Sequence, residues 1–350
     1  MSKPSIAING RQIGPEFAPY VIAELSANHN GSLETALQIV REAKSAGADA
    51  VKLQTYTADT ITLDSNNPEF QINGGLWDGE TLHSLYRKAH MPWEWHSVLF
   101  DEARKVDITI FSSPFDSTAV DYLENLNAPA YKIASFEAID LPLIKYAAST
   151  GKPMIISTGM ADSEEIAEAI EAAKTGGCKQ LAILHCVSGY PAPTEDYNLR
   201  TLPDMVERFG LVTGLSDHTL DNTTAITSIA LGASIIEKHF TLNRLGGGPD
   251  DSFSLEPVEL AQLCKDSRTA WSALGKVDYG RKSSELGNVQ FRRSIYFVKD
   301  LRAGQVITAD SIRSVRPGFG LPPKYFEELI GRTVNRDITK HSPVKIEYLD

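Results

Sequence analysis

The sequence predicts an α/β protein, a parallel (β/α)8 TIM barrel followed by a small C-terminal domain, and three observations carry that expectation. Eight short apolar runs are each followed by a segment of helical period. Most of those runs end in polar residues, as barrel strands do where they approach a site. The beat then stops near Lys276, where the chain turns polar and Gly/Ser-bearing. An open doubly wound sheet is the competing arrangement, but no Gly-x-Gly-x-x-Gly turn follows the first strand, which weakens a dinucleotide reading.

Residues 5 to 14 read as a hairpin around Asn9-Gly10, a dipeptide suited to two positive φ angles, and could plug the N-terminal mouth of a barrel. The strand-like runs are Val21 to Ser26, Ala48 to Thr55, Thr109 to Ser113, Ala130 to Ser135, Pro153 to Thr158, Gln180 to Cys186, Leu211 to His218 and Ala233 to Phe240. Among the intervening segments, Leu33 to Ala46 and Ser163 to Lys174 are rich in helix formers, with Gly47 and Gly176 as C-terminal stops. The domain boundary is expected within Lys276 to Gln290, giving a barrel over residues 1–280 and a linker plus small domain over 281–350. In that tail, Val298 to Val306 and Asn335 to Val344 resemble two halves of a weak internal repeat. They imply a module of about 60 residues, marginal alone and in need of a docking surface.

The 350 residues and their apolar content suffice for a real core, and a formal charge of −11 argues against general affinity for nucleic acid. Cys178, Cys186 and Cys264 are too few and too scattered for a disulfide framework or zinc knuckle, which suits a reducing cytoplasm. Cys186 is read as buried packing rather than as a nucleophile. The opening Met1-Ser2-Lys3-Pro4-Ser5 lacks a signal h-region, and no stretch approaches the roughly 20 apolar residues that cross a bilayer. The expectation is a soluble cytoplasmic protein with no membrane partner.

Two strand ends close on histidine, Gly214-Leu215-Ser216-Asp217-His218 and Ile235-Ile236-Glu237-Lys238-His239. Alternation places Ser216 with His218, and Glu237 with His239, on one strand face. Two neutral imidazoles can hold a divalent cation; with only two nitrogen donors, a loosely held Mn²⁺ or Mg²⁺ fits better than a four-ligand structural zinc, and imidazole also suits other divalent ions. The remaining strand ends present Glu24 and Ser26, Lys52 and Gln54, Ser112 and Ser113, Lys132 and Ser135, Ser157, and His185 and Ser188. Two inward lysines in a ring of hydroxyls suit a phosphate or carboxylate, because each is costly to bury without an anion. Glu24 could pair with a lysine, orient substrate hydroxyls or move a proton. His29 is open between a turn role and a substrate contact.

These residues fall in six ordered motifs: Ala23-Glu24-Leu25-Ser26-Ala27-Asn28-His29-Asn30-Gly31, Lys52-Leu53-Gln54-Thr55, Tyr131-Lys132-Ile133-Ala134-Ser135, Ser157-Thr158-Gly159-Met160, Gly214 to His218, and Glu237-Lys238-His239-Phe240-Thr241. Together they resemble the sialic acid synthase family over nearly the whole chain. The tail Arg316-Pro317-Gly318-Phe319-Gly320 is similar to the antifreeze-like SAF domain that ends those enzymes. Leu76 to Leu82, Met91 to His96 and Gly247 to Pro257 resemble the pseudaminic acid synthase branch, with Trp77, Trp93 and Trp95 open between loop anchoring and sugar contact.

The resemblance implies a metal-dependent condensation of phosphoenolpyruvate with an open-chain amino sugar aldehyde, giving a nonulosonic acid and phosphate. In the pseudaminic branch the sugar is 2,4-diacetamido-2,4,6-trideoxy-L-altrose; N-acetylmannosamine and the legionaminic acid precursor are the alternatives, and a non-catalytic carbohydrate-binding barrel is a third reading. By matched position, His218 and His239 would hold the metal, and Lys52, Ser113, Lys132, Ser135, Ser157, Ser188 and Ser216 would bind phosphoenolpyruvate. Glu24, Glu137, Tyr190 and Asp250 would face the sugar, with Glu24 the candidate for proton transfer. Arg316 would reach the N-acyl group from the other subunit of a domain-swapped homodimer. Where the N-acetylneuraminate branch has Thr-Asn, this chain has Val187-Ser188, whose shorter hydroxyl leaves room in the pocket. The adjacent Asp250 and Asp251 leave the sugar-facing aspartate open by one position.

Overall fold

A computed structural model describes residues 3–350; Met1 and Ser2, at the start read as lacking a signal, lie outside the described residues. The chain divides into two compact units, Met1–Gly275 and Lys276–Asp350. The first is a closed barrel of eight strands, β3 (Tyr20–Glu24), β4 (Ala50–Thr55), β5 (Thr109–Pro114), β6 (Tyr131–Ile133), β7 (Met154–Ser157), β8 (Leu181–Cys186), β9 (Val212–Asp217) and β10 (Ile235–His239). Every pairing is parallel and follows chain order, and β10 closes on β3. All eight expected strands are present, most of them shorter than expected by one or two residues at one or both ends. Ser26 turns out of β3 with φ 46°, Ser135 begins a 3-10 turn, and His218 lies one residue past β9.

A hairpin precedes the barrel: β1 (Ile6–Ile8) and β2 (Arg11–Ile13) pair antiparallel through Asn9 and Gly10, both with positive φ. Ile6, Ile8 and Ile13 share one buried cluster with Tyr20, Ile22, Phe111, Leu184 and Ile235, so the hairpin plugs the barrel at the N-terminal ends of the strands. That plug leaves chemistry to the opposite mouth. The helices pack on the outside of the barrel in a second, larger cluster that includes Ile39, Val40, Leu99, Ile144 and Leu260.

Helix Leu33–Ala46 starts where Ser32 accepts from the amide of Thr35 and ends at Gly47, φ 89°. Helix Ser163–Gly176 differs from expectation at its end: the left-handed cap is Gly177, φ 113°. Gly176 is glycine for another reason, since a Cβ there would stand 2.7 Å from the Ala148 Cβ and 2.8 Å from the Lys145 carbonyl oxygen. One connection is unusually long: residues 56 to 92, between β4 and helix Trp93–Lys105, hold two short helices, Ala58–Ile61 and Leu82–Ala89.

In the second unit, β11 (Ser294–Phe297) and β12 (Ile312–Val315) pair antiparallel over a small core of Ile295, Phe297, Ile307, Ile312, Leu329 and Val334. The two repeat halves pair with each other: Leu301 and Ile338 exchange backbone hydrogen bonds of 3.0 and 2.7 Å. No helix among the described residues is long and apolar enough to cross a membrane.

Candidate active site

Register brings the site together. Neighbouring strands set Glu24 beside both Lys52 and His239, and Ser216 beside Glu237. Inside the mouth, Lys52 Nζ lies 2.9 Å from Glu24 Oε2 and 3.5 Å from Glu237 Oε1, and Lys132 Nζ lies 3.3 Å from that same Glu237 oxygen. Ser216 Oγ donates to Glu237 Oε1 at 3.1 Å, Lys52 Nζ to Ser113 Oγ at 3.4 Å, and Gln54 Nε2 to Glu24 Oε1 at 3.0 Å. The four charged groups are all buried.

This lattice corrects one expectation. The inward lysines are not uncompensated: Glu24 and Glu237 neutralise them, so burial cost alone does not demand an outside anion. The compensation is uneven, however. Burial pushes the Glu24 carboxyl up against the pull of Lys52, and Glu237 adds to the rise. For Glu237 burial acts the same way, but Lys132 and Lys52 together hold it below the usual carboxylate range. Lys132 is itself lowered by burial, with Lys52 adding to that. Of the two carboxylates, Glu24 is therefore the one whose charge is more easily given up.

The imidazoles stand above this lattice, ring centroids 5.4 Å apart. His218 Nδ1 lies 2.8 Å from the Val187 carbonyl oxygen, which can only accept, so Nδ1 carries the proton and Nε2 the lone pair. Burial pushes His218 down to about 4; His239 is lowered further, by burial and then by His218. Both rings are neutral donors, and the Nδ1 of His239 is buried without a hydrogen-bond partner. No third His, Cys, Asp or Glu completes a metal cluster among the described residues. The pair would fit a divalent ion only if its other ligands were water and substrate oxygen.

A cavity of about 490 Å³ opens at the mouth and is lined by Ser135, Glu137, Ser188, Tyr190, Asp250 and His239 from the expected set. The Tyr190 ring lies 4.4 Å from that of His218. Ser135 and Ser188 share a 2.8 Å hydrogen bond, so the shorter Ser188 still joins the ring of hydroxyls. Ser157 Oγ, Glu237 Oε2 and Glu137 Oε2 are buried polar atoms with no protein partner, the condition expected of groups that await a ligand. Burial pushes Glu137 up to about 7. Asp250 is the aspartate at the cavity; it accepts from Ser26 Oγ and approaches His239 Nδ1 at 3.9 Å. Asp251 is committed to Thr241, Asn30 and the amide of Gly248. Arg316 is exposed in the second unit, on the loop after β12.

Several expected positions fall outside the site. Ser112 turns away from the barrel interior to Thr55 Oγ1, 2.6 Å, which also meets His96. His185 likewise faces outward and bonds the Tyr197 carbonyl oxygen. Both errors are errors of phase, since strands buried on both faces hide which alternate faces inward. His29 has a turn role: its Nδ1 accepts from the Gly31 amide and its ring meets Trp95 edge-on. Trp93 anchors a loop through the Tyr56 carbonyl oxygen, whereas Trp77 both bonds the Pro249 carbonyl oxygen and lines the cavity. Gln54, presented beside Lys52 in the sequence, and Gly159 were given no role there; Gln54 lines the cavity. Gln54 shared the alternation of Lys52; Gly159 has no room for a Cβ, which would stand 2.3 Å from Ser188 Oγ.

A plugged barrel with paired neutral imidazoles above a buried lysine and glutamate lattice, at the mouth where barrels carry chemistry, defines a barrel enzyme. The chain belongs to the NeuB family, whose model matches residues 39–279, and its tail, residues 292–349, matches the SAF domain. It is therefore an enzyme of the sialic acid synthase type. It is 44% identical to the pseudaminic acid synthase of Campylobacter jejuni over 91% of this chain and 93% of that protein. With the pseudaminic acid synthase of Helicobacter pylori it shares 42% identity over 95% of this chain and 98% of that one. The crystal structure of N-acetylneuraminic acid (sialic acid) synthetase from Leptospira borgpetersenii aligns with a TM-score of 0.73 at 30% identity, covering 82% of this chain and 95% of that chain.

Proposed function

We propose that the protein condenses phosphoenolpyruvate with 2,4-diacetamido-2,4,6-trideoxy-L-altrose and water to give pseudaminic acid and phosphate. The observation that carries this reading is the neutral pair His218 and His239, ring centroids 5.4 Å apart, with His239 lining the cavity. A Mn²⁺ or Mg²⁺ ion bound by these imidazoles would supply Lewis-acid polarisation of the aldehyde. Lys52 and Lys132, with Ser113, Ser135, Ser157, Ser188 and Ser216, would receive the phosphate and carboxylate of phosphoenolpyruvate. A dianion arriving beside the lysines would compete with Glu24, whose raised affinity for a proton lets it leave the lattice as a neutral acid. That makes Glu24 the candidate for proton transfer as the methylene carbon attacks and water adds at the second carbon. Glu137, Tyr190 and Asp250 would orient the sugar. Arg316 of the partner subunit would reach its N-acyl group in a domain-swapped homodimer working in the cytoplasm.

Phosphate release from phosphoenolpyruvate with Mn²⁺ present, compared across the altrose sugar, N-acetylmannosamine, the legionaminic precursor and no sugar, tests this. Release with the altrose sugar alone, lost with chelator and in the His218→Ala, His239→Ala double variant, is the expected outcome. Preference for another aldehyde would keep the chemistry and change the substrate. No release with any sugar would leave a carbohydrate-binding barrel.

A further inference from the structure

The cavity has two unlike walls. One is the polar mouth of the barrel; the other comes from the long connection of residues 56 to 92. That connection contains Asp59, Asp64, Glu69, Asp78, Glu80, Arg87 and Lys88, yet none of these lines the cavity. Beside the aromatic rings of Tyr56 and Trp77, it is Ile61, Ile72, Leu82, Leu85, Tyr86 and Ala89 that face it. The last four fall at i, i+3, i+4 and i+7 of helix Leu82–Ala89, the apolar stripe by which a helix packs on a core. Here part of that stripe is given to an open cavity. The connection is held in place at several points: Thr81 caps the helix through the Ser84 amide, His83 bonds Asp59 at 3.0 Å, and Trp77 Nε1 donates to the Pro249 carbonyl oxygen at 3.3 Å. Pro249 directly precedes Asp250, so the apolar wall and the polar wall meet at a fixed joint.

We propose that this wall determines which acceptor sugar the enzyme takes, by seating the deoxygenated carbon and acyl methyl groups of the aldehyde. The inference rests on the synthase reading above and adds the residues that select within it. A hydroxyl set against Ile72, Leu82 and Leu85 would lose its water and find no hydrogen-bond partner on those side chains, the phenols of Tyr56 and Tyr86 being the polar tips of this wall. A methyl group loses nothing and gains burial. The wall therefore favours an acceptor that is apolar along one edge and carries its polar groups along the other. An apolar pocket rejects an added hydroxyl only moderately, by about 10²-fold in kcat/KM.

The test uses the full chain with Mn²⁺, phosphoenolpyruvate and a matched pair of diacetamido aldehydes that differ only in a methyl or hydroxymethyl group at the sixth carbon. The wild type should favour the deoxy sugar by about 10²-fold in kcat/KM. Ile72→Thr, which keeps the β-branch and replaces the ethyl arm with a hydroxyl, and Leu82→Asn should each reduce that preference toward tenfold or less, with the KM for phosphoenolpyruvate unchanged. Leu82→Met controls for repacking and should retain the preference. Equal use of both sugars by the wild type, or an unaltered preference in both polar variants, overturns the proposal. Failure of the synthase reading is distinct, because no aldehyde would then release phosphate.

Discussion

At the scale of single residues, the barrel mouth is governed by which carboxyls can give up their charge. Glu237 is locked as an anion by two ammonium groups, whereas Glu24 and Glu137 are held toward the neutral form by burial. For Glu137 the consequence is a loss of stability at high pH. Its folded value is pushed from 4.5 up to about 7, so between these limits the folded chain keeps a proton that the unfolded chain releases. Its contribution to stability is full below the lower limit and is lost as pH rises through the upper one. Glu137→Gln cannot ionise; relative to the wild type it should gain roughly 1–3 kcal/mol between pH 5 and pH 9 in urea unfolding. Parallel pH curves for the two proteins would show that the carboxyl ionises freely in the fold.

At the scale of elements, the turn leaving β9 and the end of β10 carry the two imidazoles, and the outward faces of both strands help to hold the site. Lys238 is buried and donates from Nζ to Asp217 Oδ2 at 2.8 Å, to the Thr219 carbonyl oxygen at 2.7 Å and to that of Asp221 at 2.8 Å. One ammonium thus fixes the loop that begins at His218. Lys238→Met would leave a buried carboxylate and two carbonyls without their partner, at a cost of about 3–5 kcal/mol. The expected result is a large fall in the urea midpoint together with reduced turnover; a change under 1 kcal/mol would show that water replaces the ammonium. Much at this scale was legible in the chain. Apolar runs mark all eight barrel strands, Asn9-Gly10 marks the hairpin, and two histidine-ended strands mark the centre, because each of these signals is local. What the chain hid is what depends on register and phase. Lys132 meets Glu237 across the barrel, and no local pattern pairs them. Ser112 and His185 sit on strands apolar on both sides, which show no phase. The helix Leu82–Ala89 has the periodicity of a core helix, and nothing in its pattern tells a core from a cavity.

At the scale of the whole molecule, the second unit raises a question of assembly. It is a small module with few regular elements, and its loop after β12 exposes both Arg316 and Phe319, the latter 62% accessible. An exposed guanidinium and an exposed aromatic ring on one loop are the composition of an interface anchor. In the proposed homodimer that anchor would belong to the active site of the partner subunit, where the guanidinium would donate to the acyl oxygen of the sugar. The arrangement has an arithmetic consequence. Arg316→Ala subunits keep their imidazoles and lack the arginine; His218→Ala subunits keep the arginine and lack an imidazole. Each homodimer should be nearly inactive. After exchange of equal amounts, half of the dimers are mixed, and each mixed dimer holds one site intact and one doubly damaged. The mixture should recover roughly a quarter of wild-type turnover. If Arg316 served the barrel of its own chain, every site in every dimer would carry one lesion, and activity would stay at the level of the parents. Mass-verified heterodimers without recovery would therefore assign the arginine to its own subunit and remove the swapped assembly from the mechanism.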